Sequence, residues 1–292
     1  MDYNIIYEDN RVIVDDIKDF EPKHIFECGQ CFRWNEESDG SYTGVAKKKV
    51  INVKKEDNRV IFSNTNRDDF DNIWYNYFDL DRDYGEIKEI LAKDEVLNKA
   101  IKFGYGIRIL KQDEWETLIS FIISANNRIP MIKKAIETLS KRYGEFVGEY
   151  NGKKFYSFPT SKTLANLRVD EIKECGTGFR AKYIANAANV VAGKQMDIYR
   201  LRNMPTVDAR RELIRFSGVG PKVSDCIMLF SMEKYDAFPI DVWVKRVMEY
   251  FYLKEDTKLK DIQNYAQDKF GKYAGFAQQY LFYYARELGI GK

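Results

Sequence analysis

Histidine is almost absent from this chain: His24 is the only one in 292 residues. Imidazole catalysis is thereby excluded everywhere else. A general base in the C-terminal two-thirds must be a carboxylate, a lysine or a tyrosine. Cysteine is scarce too. Cys28, Cys31, Cys175 and Cys226 include one Cys-x-x-Cys spacing and no second close pair. A four-thiolate zinc site or a C-terminal iron–sulfur cluster is therefore not expected, and ordinary reduced thiols are. No stretch approaches the roughly 18 to 20 apolar residues of a membrane span. The acidic N-terminus has no apolar signal region, and no repeat or low-complexity linker interrupts the chain. Together these absences predict a cytoplasmic protein of one large domain or two ordinary ones.

What is present is a hydrophobic content of 45% with 15% aromatic residues, enough for a substantial core. The net charge of +2 hides an asymmetry. Residues 1–100 hold 15 Lys/Arg against 23 Asp/Glu, a net of −8, whereas residues 101–292 hold 32 against 22, a net of +10. A basic C-terminal part fits a polyanion, since phosphate neutralisation supplies most sequence-independent affinity for nucleic acid. It equally fits a solvated surface with a lysine excess.

The first hundred residues read as short strands, Tyr42–Val45, Val50–Val53 and Val60–Phe62, with helical stretches at Phe70–Phe78 and Glu86–Leu97. Beyond about residue 100 the apolar period becomes 3.6. Asp113-Glu-Trp-Glu116 reads as a capping box. Further helices are expected at 131–142, 162–174, 181–192, 207–216, 223–232, 241–252, 258–269 and 274–288, with Gly144 and Gly193 as C-caps. The expected class is α+β: an antiparallel β-rich part over 1–100 and an all-helical body over 101–292.

Within 206–246 a helix runs into Ser217-Gly218-Val219-Gly220-Pro221, and Lys222 opens the next helix. This is the pattern of a helix–hairpin–helix, whose two glycines permit φ > 0 and close backbone approach. Free N–H groups at the second helix start make an anion site; the alternative is a plain connecting turn. Lys222, at the positive end of a helix dipole, is disfavoured in its charged form, and a neutral amine can form a Schiff base. The plainer role is a solvated or phosphate-binding lysine. Asp241, 19 positions on, precedes a helical pattern. It reads either as an N-cap or as a carboxylate able to take the amine proton or stabilise a sugar cation.

With these segments the chain resembles the helix–hairpin–helix DNA glycosylases with a Gly/Pro-rich loop ending in aspartate, and within them the 8-oxoguanine DNA glycosylase/AP lyases. The matching segments are Gly29-Gln-Cys-Phe-Arg-Trp34, Phe121-Ile-Ile-Ser-Ala-Asn-Asn127, Gly176-Thr-Gly-Phe-Arg-Ala-Lys-Tyr183, the hairpin, Pro239-Ile-Asp241 and Tyr273 to Phe282. They span nearly the whole chain in the family's order. The resemblance implies that Lys222 attacks the anomeric carbon, displaces the oxidised base and cleaves the strand by β-elimination, with Asp241 assisting. By the same resemblance the Gly29 carbonyl accepts the N7 proton of 8-oxoguanine, Gln278 binds its Watson–Crick edge, and Phe282 and Cys226 sandwich the ring. Gly218, Gly220 and Val223 contact phosphate through backbone N–H. Asn126, Phe179 and Arg180 surround the emptied site and the orphaned partner base.

The chain departs from the family pattern in three places. Met131 stands where eukaryotic members have an arginine that reads the opposite cytosine, Phe179 replaces a tyrosine, and Trp243 replaces a histidine that contacts phosphate. Methionine cannot donate to cytosine, so weaker discrimination of the opposite base is expected. The implied partner is double-stranded DNA containing 8-oxoguanine, bound by a monomer, with nucleoid association if the source is prokaryotic. No cofactor or metal ligand set is implied, although the hairpin carbonyls offer a place for a structural cation. Two other readings compete. One is a DNA-binding module that uses the hairpin only as a phosphate clamp, and the other is a glycosylase for a different purine. A lysine aldolase-like enzyme would leave the basic surface without purpose.

Overall fold

β-Branched and aromatic residues between Asn4 and Ser63 form one six-stranded sheet in the computed structural model, which describes residues 3–290. The strands are β1 (Asn4–Glu8), β2 (Arg11–Asp15), β3 (Trp34–Glu36), β4 (Tyr42–Ala46), β5 (Lys49–Glu56) and β6 (Arg59–Ser63). Their order is β1-β2-β6-β5-β4-β3, and every neighbouring pair is antiparallel. The sheet is anchored by aromatic packing. Phe26 stacks on Trp34 at 3.9 Å between ring centroids, and Phe62 meets Phe78 at 5.2 Å. Phe26 belongs to the short helix α1 (Pro22–Glu27).

The helical body comprises α2 (Tyr84–Leu91), α3 (Glu95–Phe103), α4 (Glu114–Ser124), α5 (Ile129–Tyr143), α6 (Ala181–Ala192), α7 (Thr206–Leu213), α8 (Pro221–Ser231), α9 (Val242–Val247), α10 (Leu259–Phe270) and α11 (Ala274–Leu288). A hairpin, β7 (Phe146–Tyr150) with β8 (Lys153–Tyr156), interrupts it. The cores interleave along the chain. Tyr84, Leu97 and Ile101 pack into the helical core, while Leu110 packs under the sheet.

Several expectations are corrected. The stretch 86–97 is two helices, because Asp94 caps α3 by accepting from Val96 N and Leu97 N. The segment 162–174 is likewise broken, into Ser161–Ala165 and Val169–Ile172. Asp113 caps α4, accepting from Glu116 N at 2.9 Å, but the Glu116 carboxylate turns to Arg33 at 3.5 Å, so only half of the capping box forms. Strands β1, β2, β3, β7 and β8 and helix α1 come in addition to the expected elements. Gly144 and Gly193 do end helices, both with negative φ.

Candidate active site

The chemistry gathers where α8 and α9 begin. Helix α8 starts at Pro221, whose missing N–H costs nothing at a first-turn position, and has no side-chain cap. Its bonding pattern opens with Ser224 N donating to Gly220 O at 2.9 Å, so the preceding first-turn N–H groups lack intrahelical acceptors. Of the two hairpin glycines only Gly218 has positive φ, +83°, and a Cβ there would lie 2.6 Å from the Tyr183 ring. Gly220 is extended at φ −105°, ψ −174°, as the residue before a proline prefers. Only one of the two glycines thus uses the freedom that both offer. A Cβ on Gly220 would meet nothing within 4 Å, so that stretch of backbone lies open to an outside partner. Val223 is buried by its side chain.

Lys222 is half-buried, with Nζ 5.3 Å from the Phe121 ring centroid. Asp241 is the N-cap of α9, its Oδ1 accepting from Trp243 N at 2.9 Å and Val244 N at 2.8 Å. Burial pushes its pKa up, opposed by those two N–H donors, by Lys222 and by Arg286. The carboxylate is therefore rigid, partly desolvated and within the field of the amine. The buried Phe238 precedes this loop, and Asp225 receives its N–H. Asp225 also accepts from Arg210 Nε at 2.7 Å, which ties α7, α8 and the loop together.

Lys222 and Asp241 line one half-open cavity, and so do Gly29, Cys226, Gln278 and Phe282. The structure thus brings together both candidate catalytic residues and all four candidate base-binding residues. Gly29 has φ +81°, and a Cβ on it would lie 3.0 Å from Phe282 Cε1, so only glycine allows this contact without strain. The Gly29 loop is clamped by its neighbours. The buried Gln30 donates to Arg108 O at 2.7 Å and accepts from Leu110 N at 2.9 Å, and Arg33 donates to Tyr156 O. All four cysteines are free and buried. Burial pushes the Cys226 thiol up to about 11 and Cys28 to about 12, so both are poor nucleophiles.

Asn126, Met131, Phe179, Arg180 and Trp243 do not line that cavity. Asn126 is exposed with φ +51°. Arg180, only 7% exposed, donates to Ala125 O at 2.8 Å and Asn126 O at 2.7 Å, and its guanidinium lies 4.4 Å from the Phe179 ring centroid. Arg180 thus braces the loop from within, whereas Phe179 and Met131, 55% and 44% exposed, face outward. Phe179 contacts Tyr183, which packs under Gly218. Trp243 donates its N–H to Asp241 and carries Arg246 5.4 Å from its ring centroid.

Sequence reasoning overlooked Gln279 and Arg286. Gln279 lines the same cavity, and Oε1 of both Gln278 and Gln279 lacks a hydrogen-bond partner among the described residues. The signal was two successive amides within the apolar and aromatic run 274–285. Arg286 donates to Glu27 O at 2.5 Å and sits 5.2 Å from the Phe282 ring centroid, an i,i+4 pair that was legible. Among the described residues no cluster of three His, Cys, Asp or Glu could hold a metal, and no helix is long and apolar enough to cross a membrane.

With this geometry the chain matches two families in tandem. Residues 12–118 match the 8-oxoguanine DNA glycosylase N-terminal domain, and 119–272 match the HhH-GPD superfamily of base excision DNA repair proteins. The chain belongs to the HhH-GPD superfamily. It is 33% identical over 233 residues to a probable N-glycosylase/DNA lyase of Methanothermobacter thermautotrophicus, covering 73% of this chain and 74% of that one. Among solved structures it is similar to the Clostridium acetobutylicum 8-oxoguanine glycosylase/lyase in complex with double-stranded DNA containing cytosine opposite 8-oxoG. That likeness has 48% identity and a TM-score of 0.97, over 99% of this chain and 100% of that one. It is also similar to MBOgg1 in complex with a low-affinity DNA ligand, at 54% identity and a TM-score of 0.96, again over 99% and 100%.

Proposed function

We propose that this chain excises 8-oxoguanine from duplex DNA and cleaves the resulting abasic strand, as a bifunctional glycosylase and lyase of base excision repair. The observation that carries the reading is the convergence of Lys222 and Asp241 on one cavity with Gly29, Gln278 and Phe282. The activities of the relatives support it.

A base inside a duplex hides its glycosidic carbon, so the damaged nucleotide must first leave the stack. The hairpin holds the backbone, with the N–H groups of Gly218, Gly220 and Val223 meeting phosphate at the positive end of α8. Asn126, Phe179 and Trp243 flank the distorted duplex, and Arg180, turned inward onto the carbonyls of Ala125 and Asn126, holds the Asn126 loop from behind. The base enters between Phe282 and Cys226. The Gly29 carbonyl accepts the N7–H of 8-oxoguanine; guanine presents a lone pair there instead, and an unpaired buried polar group costs about 1–3 kcal/mol. Gln278 bonds the Watson–Crick edge.

Lys222 Nζ then attacks C1′. The glycosidic bond breaks with its electrons going to the base, which takes up a proton. Asp241 receives the amine proton or stabilises positive charge developing on the sugar. The sugar ring opens as the imine forms, and loss of a C2′ proton expels the 3′-phosphate. Amine and carboxylate supply this chemistry without a cofactor. Met131 offers no donor to a partner cytosine, so preference for the opposite base is relaxed. We place the enzyme in the cytoplasm with the chromosome, acting as a monomer with an N-terminal unit over 1–100 and a catalytic unit over 101–292.

Borohydride trapping on an end-labelled duplex with one 8-oxoguanine opposite cytosine tests this. An adduct is expected from the wild type on damaged DNA alone and none from Lys222→Gln. Tight binding with no wild-type adduct would replace the reading with a clamp or a lysine-independent glycosylase.

A further inference from the structure

Buried amides rarely go without partners, because an unmet acceptor in the interior loses its water without compensation. Two adjacent ones do so here. Gln278 is 5% exposed and Gln279 is 1% exposed, both line the cavity that holds Lys222, and the Oε1 of each lacks a partner among the described residues. Both lie in the continuous buried stretch 274–281 of α11, so neither is on a solvated face.

Donor counting gives the pair a use. 8-Oxoguanine carries three kinds of N–H donor, at N7, N1 and the 2-amino group. The proposed reading, on which this inference rests, gives N7–H to the Gly29 carbonyl. One carboxamide can serve two adjacent atoms of the Watson–Crick edge, Oε1 accepting from N1–H while Nε2 donates to O6. That is the work of Gln278. One donor then remains on the base and one orphan acceptor remains in the cavity. We propose that Gln279 is a second specificity-determining residue, whose Oε1 accepts from the 2-amino group of the flipped purine.

The test compares two oxidised bases that differ only in that group: 8-oxoguanine and 8-oxohypoxanthine, which lacks the 2-amino substituent. Single-turnover base release is measured for the wild type and for Gln279→Met, which keeps the volume of the side chain and removes its acceptor. Dividing variant by wild-type rates for each base cancels the difference in leaving group, in the manner of a double-mutant cycle. The expected result is a loss about tenfold larger on 8-oxoguanine than on 8-oxohypoxanthine, the size of one buried hydrogen bond. Equal losses on both bases, or no loss on either, would overturn the assignment. Gln279→Ala repeats the comparison should the methionine disturb packing. A wild-type enzyme that releases neither base would instead remove the proposed function, and this inference with it.

Discussion

Two helices begin at the same cavity and begin differently. Helix α8 starts with no side-chain cap, an extended Gly220 and a proline, while α9 starts with Asp241 folded over its own N–H groups. The first arrangement leaves donors free for something outside the protein, and the second uses them to immobilise a carboxylate. On the proposed reading, a binding end and a chemical end are made from the same backbone feature. What distinguishes them is whether the cap comes from the chain or from its ligand.

Lys222→Gln should abolish the trapped adduct while leaving the hairpin able to hold DNA, which borohydride trapping beside a gel-shift titration would check. Asp241→Asn separates cap from chemistry. Asparagine caps about as well as aspartate, so thermal unfolding should barely move. Base release, by contrast, should slow by about 10²–10⁴-fold, the usual worth of a positioned acid–base group. Asp241→Ala should add a stability loss of about 1 kcal/mol. Activity surviving in the asparagine variant would reduce Asp241 to a cap.

Asp225, which joins the two helix starts through Arg210 and Phe238, sharpens the comparison through pH. Burial raises its pKa from 3.8 to about 6, so ionisation costs more in the folded state than in the unfolded one. Its contribution to stability is complete below the unfolded value and is lost as pH rises through the folded one. Relative to Asp225→Asn, the wild type should lose about 3 kcal/mol between pH 4 and pH 6, measurable by denaturant titration at each pH. A flat difference would mean that Arg210 keeps the carboxylate ionised throughout.

The last two effects concern the hairpin glycines. Gly218→Ala forces a side chain into a left-handed backbone against Tyr183 and should cost about 1–2 kcal/mol in unfolding free energy. Gly220→Ala should leave stability within about 0.5 kcal/mol. Its methyl points where phosphate would approach, so DNA affinity should fall, read from binding isotherms at two salt concentrations.

Helical periodicity was legible wherever one face is buried along a whole element. The spans 181–192 and 274–288 agree with α6 and α11 at both ends. It failed where a local hydrogen bond outweighs the period, as at Asp94, and where strands are short and exposed on alternate residues, as in β1. Lys222 could be read because the Gly- and Pro-marked hairpin leaves its backbone demands in the sequence, whereas Gly29 was reached only through the resemblance to a known family. Arg180 could not. A charged residue beside an exposed phenylalanine reads as a surface contact, and only the fold shows it turned onto the carbonyls of Ala125 and Asn126. Gln279 passed as one more helix residue because burial of an amide leaves no trace in spacing.

The contact between Arg286 and the Glu27 carbonyl joins positions 259 residues apart, and Gly29 meets Phe282 across almost the same interval. On the proposed reading, the slot for the base therefore cannot close until its second wall, carried by α11, has been made. At about 5–20 residues per second, tens of seconds separate emergence of its first wall from emergence of its second. A chain interrupted in that window would carry the sheet and the hairpin without a slot, able to sit on DNA but unable to test a base. Translation order thus withholds the proposed base recognition until α11 has emerged.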